Sequence, residues 1–274
     1  MAFTVAQVSD THLGARTPLV QANFDHVVAA LDAVRPDLVV ASGDVSLDGA
    51  GGDADMALAA AQFARLAGPV YAIPGNHDVG DHPERAPRQP VTDERLERFE
   101  RAMGPPRWVV DRENWRLIGL DSQSMGAHPA ERAQAAMIER ALATLDDRLL
   151  AVFIHKPFFA ADPDETLFDY WSVPPFARAP LRPLMAHPNL RLVASGHLHL
   201  HHETVRGAAR HVWAPSTAFV VAPDEQLGLP GTRPCGILLH HFGDDAVETA
   251  LLEPPGMARP FIHEIREFTY PRAA

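Results

Sequence analysis

Val70-Tyr71-Ala72-Ile73-Pro74-Gly75-Asn76-His77-Asp78 is a short apolar run that breaks at a proline-glycine turn and then delivers an amide, an imidazole and a carboxylate in succession. Three such side chains are poor core material, because each would need its own partner if buried, whereas a loop at the end of a strand can aim them outward together. Four other apolar runs end in the same manner. Phe3 to Val8 reaches Ser9-Asp10-Thr11-His12, Leu38 to Ala41 reaches Ser42-Gly43-Asp44, Leu149 to Ile154 reaches His155-Lys156-Pro157, and Leu190 to Ala194 reaches Ser195-Gly196-His197-Leu198-His199. Between the first three runs lie helical stretches, about Val20 to Val34, closed by Arg35-Pro36, and Met56 to Leu66, stopped by Gly68-Pro69. This alternation predicts an α/β chain with a largely parallel sheet and ligands at the carboxyl ends of its strands.

Further along, residues 81–89 read as loop, Thr92 to Met103 and Ala133 to Leu145 as helices, and Trp115 to Leu120 as a strand ending at Asp121-Ser122. An aromatic and proline-rich excursion over residues 158–183 follows. It reads as a surface segment that either covers a site and stacks on a nucleobase or packs into the body or against a subunit. Beyond residue 200 the runs Val212 to Trp213, Phe219 to Val221, Gly236 to Phe242, Val247 to Leu252 and Phe261 to Phe268 predict a second, mostly antiparallel sheet. With no repeat or linker composition, residues 1–274 read as one domain.

Composition narrows the function. Lys and Arg number 24 against 35 Asp and Glu, a net charge of −11 that repels phosphate backbones, so nucleic acid is a poor partner. A phosphate-handling enzyme this acidic would have to carry its positive charge as metal. Cys235 is the only cysteine, which excludes an intrachain disulfide and thiolate-rich zinc sites. No basic start with a long apolar stretch opens the chain, and no membrane-length run interrupts it, so a cytoplasmic protein without membrane partners is expected. Fifteen histidines are an excess that invites metal.

The strand ends together offer Asp10, His12, Asp44, Asn76, His77, His155, His197 and His199. Taken singly, Asp10 also reads as a helix cap, Asp44 as an ordinary turn and His155 as a satisfied core histidine. For His197 and His199, alternation along an extended segment would place both rings on one side. Side by side at a sheet edge these residues supply mixed imidazole and oxygen donors, suited to Mn, Fe, Zn, Ni or Co, with Mn and Fe favoured. They exceed the needs of one ion and suffice for two that share a carboxylate. His201, His202, His240 and His241 read as surface or strand residues, and Lys156 as either touching phosphate or solvated.

Asp10-Thr11-His12, Gly43-Asp44, Gly75-Asn76-His77-Asp78, His155 and Gly196-His197-Leu198-His199 resemble, in order and spacing, the five blocks of the calcineurin-like metallophosphoesterase superfamily. The resemblance spans residues 10–199. It implies a four-layer α-β-β-α sandwich of two mixed sheets flanked by helices. It also implies a binuclear centre, with Asp10, His12, Asp44 and His199 on one ion, Asp44, Asn76, His155 and His197 on the other, and Asp44 bridging. The implied reaction is phosphoester hydrolysis by a metal-bridging hydroxide, with His77 as catalytic helper and Asp78 orienting its ring.

Leu47 stands where purple acid phosphatases have a tyrosine ligand, and Leu47-Asp48-Gly49 lacks the arginine of protein serine/threonine phosphatases. Without that clamp on a dianion the site should favour diesters. The pattern is most similar to the class III cyclic-nucleotide phosphodiesterase and glycerophosphodiesterase branch. The expected substrate is a small phosphate diester, with a monoesterase, nucleotide pyrophosphatase, nuclease or non-catalytic scaffold as alternatives and homo-oligomerisation left open.

Overall fold

A computed structural model describes residues 2–269; Met1 and residues 270–274, which belong to the reading of 1–274 as one domain, lie outside the described residues. The chain runs β1 (Phe3–Val8), α1 (Pro18–Val34), β2 (Leu38–Ser42), α2 (Asp53–Phe63), β3 (Val70–Ile73), α3 (Asn76–Val79), α4 (Asp93–Met103), β4 (Trp108–Arg112), β5 (Trp115–Leu120) and α5 (Glu131–Ala143). It continues through β6 (Leu149–Ile154), α6 (Arg182–Met185), β7 (Leu190–Ser195), β8 (His202–Arg206), β9 (Ala209–Trp213), β10 (Ile237–Phe242), β11 (Val247–Leu252) and α7 (Arg266–Thr269). Two mixed sheets result, of order β11-β10-β1-β2-β3 and β4-β5-β6-β7-β9-β8. Parallel pairing joins β1, β2 and β3 in one sheet and β5, β6, β7 and β9 in the other, with antiparallel strands at the margins.

Side-chain alternation builds the layers. Phe3, Val5, Leu38 and Val40 face Trp115, Leu117, Ala151, Phe153, Leu192 and Ala194 between the sheets. The intervening residues Ala6, Val8, Val39 and Ala41 pack outward on Phe24 and Val27 of α1, Met56 and Phe63 of α2, and Phe99 of α4. On the far side Ile118, Val152 and Ile154 pack on Ile138 and Ala141 of α5. The architecture is therefore α-β-β-α, as the resemblance implied.

The C-terminal part departs from expectation. It does not form a separate antiparallel sheet. β10 pairs antiparallel with β1 and returns β11 to the first sheet, while β9 pairs parallel with β7 and carries β8 into the second. Val220 makes only an isolated bridge with Phe261, and the stretch after Phe261 forms a single 3-10 turn and the short α7. β4, unforeseen, is an edge strand whose alternating exposure hides it from a search for continuous apolar runs. Among the described residues no helix is long and apolar enough to cross a membrane.

Candidate metal centre

Parallel pairing within each sheet brings the carboxyl ends of β1, β2 and β3, and of β6 and β7, to one side of the molecule. The site lies between the two sheets there, rather than at the edge of one. His155 continues the inter-sheet face of β6 after Ala151 and Phe153, and its ring reaches across to the first sheet, where Nδ1 donates to the Ser42 carbonyl at 2.8 Å. Gly43, at φ 93°, passes beneath that ring, and a Cβ there would lie 2.3 Å from His155 Nδ1. Asp10, His12, Asp44, His197 and His199 all take left-handed backbone conformations, with φ from 42° to 67°. Each such residue costs on the order of 1 kcal/mol, and five together mark a site rather than a scaffold. His197 and His199 therefore converge through two left-handed turns, not through alternation along an extended segment as expected.

Among the described residues, three groups of potential ligand atoms lie within 4.8 Å of one another: Asp10, His12 and His199; Asp44, His155 and His197; and His12, Asp44 and His77. In the first, Asp10 Oδ2 accepts from Ser9 Oγ at 2.5 Å and from the His197 amide at 3.0 Å. Its Oδ1 is buried without a hydrogen-bond partner among the described residues, 3.3 Å from His199 Nε2. His199 donates Nδ1–H to the Phe219 carbonyl at 2.8 Å, so its Nε2 carries a lone pair, and His12 Nε2 lies 3.1 Å from it. In the second group His155 Nε2 stands 3.4 Å from both Asp44 Oδ2 and Asn76 Oδ1. Asp44 Oδ2 is also 3.8 Å from His12 Nε2, so one carboxylate touches both groups, while its Oδ1 accepts from the His77 amide at 2.8 Å.

The donor set fits cations. Ligand atoms held at about 2.0–2.2 Å from one ion sit roughly 3 Å apart, which is the spacing between these nitrogens and oxygens. An orphaned carboxylate oxygen beside bare imidazole nitrogens is a poor arrangement for anything else. With no cation, a proton takes the role. Burial opposes charge on His155, but the Asp44 and Asp10 carboxylates outweigh it and hold its pKa at about 9. Burial likewise opposes charge on Asp44, and His155 and His77 keep its carboxyl well below the usual range. For His12 and His197, burial prevails and the rings stay neutral, assisted by His77 and by Lys156 respectively.

Two expectations need correction. Asp78 does not orient the His77 ring: its carboxylate accepts from the amides of Val45, Ser46 and Gly75 and from Ser46 Oγ, over 2.7–3.2 Å, and so ties the β3 turn to the β2 turn. Burial and the nearby Asp44 raise its pKa to about 6. The His77 ring is set by the Leu47 carbonyl, which accepts from Nδ1 at 2.7 Å, leaving Nε2 as the nitrogen that can exchange a proton. Lys156 neither touches the site as a phosphate ligand nor lies in solvent, since it is buried in an ion pair with Asp81 at 2.7 Å. His240 is a strand residue of β10, as read, and is fully buried between the sheets.

A cavity of about 400 Å³ opens over the cluster, lined by His12, Asp44, His77, His197 and His199 on its floor and by Tyr170, Trp171, Phe219, Val221 and Ile262 on its walls. Glu225 and Arg266 stand at its rim, paired at 3.0 Å. Of the walls, only the aromatic excursion carrying Tyr170 and Trp171 reads in the sequence as a possible cover for a site; Phe219, Ile262 and Arg266 lie in runs that read as strands, and Glu225 ends a 3-10 turn that no motif marks.

A family model described as calcineurin-like phosphoesterase matches residues 3–201. The chain is 33% identical over 232 residues to the 3′,5′-cyclic adenosine monophosphate phosphodiesterase CpdA of Pseudomonas aeruginosa, covering 80% of this chain and 78% of that protein. It is 28% identical over 240 residues to a probable cyclic nucleotide phosphodiesterase of Synechococcus sp., covering 80% and 82%. Among solved structures, a dimetal phosphatase from Danio rerio superposes with a TM-score of 0.62 at 14% identity, over 91% of this chain and 95% of that one, a likeness of fold.

Proposed function

The chain belongs to the calcineurin-like phosphoesterase family of metal-dependent hydrolases, and on that premise we propose that it hydrolyses phosphodiesters, with cyclic nucleotides as the substrate class, at a two-cation site. The observation that carries the reading is Asp44, one buried carboxylate in reach of both donor groups. Asp10, His12, Asp44 and His199 would hold one cation, and Asp44, Asn76, His155 and His197 the other. Imidazole mixed with oxygen favours Mn or Fe. When bound, such ions offset the charge of an anionic ester and lower the pKa of water at the site.

The chain's own residues do the rest. His77, with Nδ1–H fixed on Leu47, presents Nε2 to the cavity floor, where in its protonated form it can donate to the departing alkoxide. Among the described residues lining the cavity, Arg266 is the one arginine or lysine, and its guanidinium is engaged by Glu225. Lys156 is engaged by Asp81. No strong clamp therefore awaits a dianionic monoester, and a monoanionic diester suits the site better. Phe219, Val221, Ile262 and Trp171 give the walls an apolar surface that a nucleobase would bury and a glycerol moiety would not.

The test is an activity panel on Mn-reconstituted protein with 3′,5′- and 2′,3′-cyclic nucleotides, a glycerophosphodiester, a generic aryl diester and its monoester. Cyclic nucleotides should give the highest kcat/KM and the monoester the lowest. Preference for the monoester, or no turnover of any diester, would end this reading.

A further inference from the structure

Tyr170 lies in the excursion between β6 and β7, far in sequence from every strand-end block, and it touches two of the candidate ligands at once. Its hydroxyl accepts from Asn76 Nδ2 at 3.1 Å, and its backbone carbonyl accepts from His197 Nε2 at 2.9 Å. We infer that Tyr170 is a positioning residue for the cation shared by Asp44, Asn76, His155 and His197, an inference that rests on the two-cation reading above.

The chemistry follows from which end of each group is spoken for. An amide has a donor end and an acceptor end, and only the oxygen can ligate a cation. With Nδ2 donating to Tyr170, the Asn76 oxygen is the end left facing His155 Nε2, 3.4 Å away. If the amide turned over, its NH2 group would face the cation site. For His197, a carbonyl can only accept, so Nε2 must carry the proton and Nδ1 is left as the lone-pair nitrogen for the group formed with Asp44 and His155. The ring of Tyr170 is itself held: Lys156 Nζ lies 4.9 Å from its centroid, and both oxygens of buried Asp81 hold that ammonium, at 2.7 and 2.9 Å. The excursion thus couples a wall of the cavity to the occupancy of one ion.

Tyr170→Phe removes the hydroxyl while keeping the ring and the carbonyl, so it tests the Asn76 arm alone. Mn2+ binding is measured by titration calorimetry, with the bound ions counted by elemental analysis, on wild type, Tyr170→Phe, Asn76→Asp and the double variant. Wild type should bind two ions. Tyr170→Phe should keep one unchanged and bind the other about 10- to 100-fold more weakly, the usual effect of losing a partner behind a ligand. In the Asn76→Asp background there is no amide to orient, and the loss on removing the hydroxyl should vanish. Unchanged affinity in Tyr170→Phe overturns the inference, and so does an equal loss in both backgrounds, which would mean that Tyr170 acts through packing. A wild-type protein that binds fewer than two ions instead removes the two-cation reading itself.

Discussion

His77 and His240 show how far the same side chain is redirected by what surrounds it. His77 stands on the cavity floor with its ring edge-on to His12 at 4.6 Å, and its Nδ1 proton is committed to Leu47. His77→Ala should lower kcat by about 10²- to 10⁴-fold, the range for a lost general acid, while metal analysis finds the same ion content as wild type. Unaltered turnover would remove His77 from the chemistry. His240 lies instead between the sheets, where Gln7 Nε2 donates to Ser42 Oγ at 2.9 Å, so that Gln7 Oε1, 3.0 Å from His240 Nε2, must accept. The ring is thereby a neutral Nε2–H tautomer with Nδ1 accepting from Thr249. Burial depresses its pKa to about 3. A histidine depressed below its unfolded value of 6.5 stabilises fully above pH 6.5 and loses that contribution as acid protonates the unfolded chain. Between pH 7 and pH 5 the group should cost about 2 kcal/mol of stability. Urea midpoints at the two pH values should therefore fall further in wild type than in His240→Gln; equal falls would contradict the assignment. In the sequence, the metal-binding residue types were legible because they sit where apolar runs stop. Tyr170 and His240 were less so, because their partners are supplied by distant segments that no local pattern brings together.

β6 illustrates at the element scale why the strands could be read and their pairing could not. Buried on both faces, Leu149–Ile154 appears as an unbroken apolar run bounded by polar residues, and its limits were legible to the residue. The limits of β1 were as legible, and β2 and β7, whose ends also carry candidate ligands, each run one residue further than the sequence reading, to Ser42 and Ser195. β10 and β11 were seen as runs too, but nothing local shows that β10 pairs with β1, more than two hundred residues earlier. Phe219 to Val221 misled because its apolar side chains line the cavity and pack beside α1 rather than building a ladder. The two sheets meet through rings: Phe242 meets Trp115 edge-on at 4.8 Å and Phe153 meets His240 at 5.8 Å, while Phe3 stacks on Phe242 at 4.7 Å within the first sheet and Trp108 contacts Phe153 at 6.2 Å within the second. Phe153 is fully buried two residues before His155 on the same face. Phe153→Ala should lower the unfolding free energy by about 3–5 kcal/mol, read from denaturant titration. It should also weaken metal retention, because the strand that aims His155 loses its inter-sheet support. A loss below about 1 kcal/mol would show that the layer collapses around the vacancy.

On the scale of the molecule, the candidate cations would lie across the seam between the sheets. Asp10, His12, Asp44 and Asn76 come from the first sheet's strand ends, and His155, His197 and His199 from the second's. Occupancy is then a cross-link as well as a catalytic requirement, worth about 4 kcal/mol of stability when free ion exceeds its Kd a thousandfold. It also offsets the charge of the two buried carboxylates at the site, Asp10 and Asp44, in a protein of net charge −11. The pH dependence of the cross-link has a definite sign. Without ions, His155 has its pKa raised from 6.5 to about 9 by Asp44 and Asp10 against the opposition of burial. A raised histidine stabilises fully below pH 6.5, and that contribution, about 3 kcal/mol, is lost as pH climbs through about 9. With ions bound, His155 Nε2 must be unprotonated, so the loaded protein has no such contribution to lose, and proton competition for the site falls as pH rises. The difference in Tm between Mn-loaded and chelator-treated protein should therefore widen steadily from pH 6.5 to pH 9, measured by calorimetry at fixed free Mn2+. A difference that stays constant or closes over that range would mean that no proton at His155 stands in for the cation, and the assignment of that ring to the shared site would fail with it.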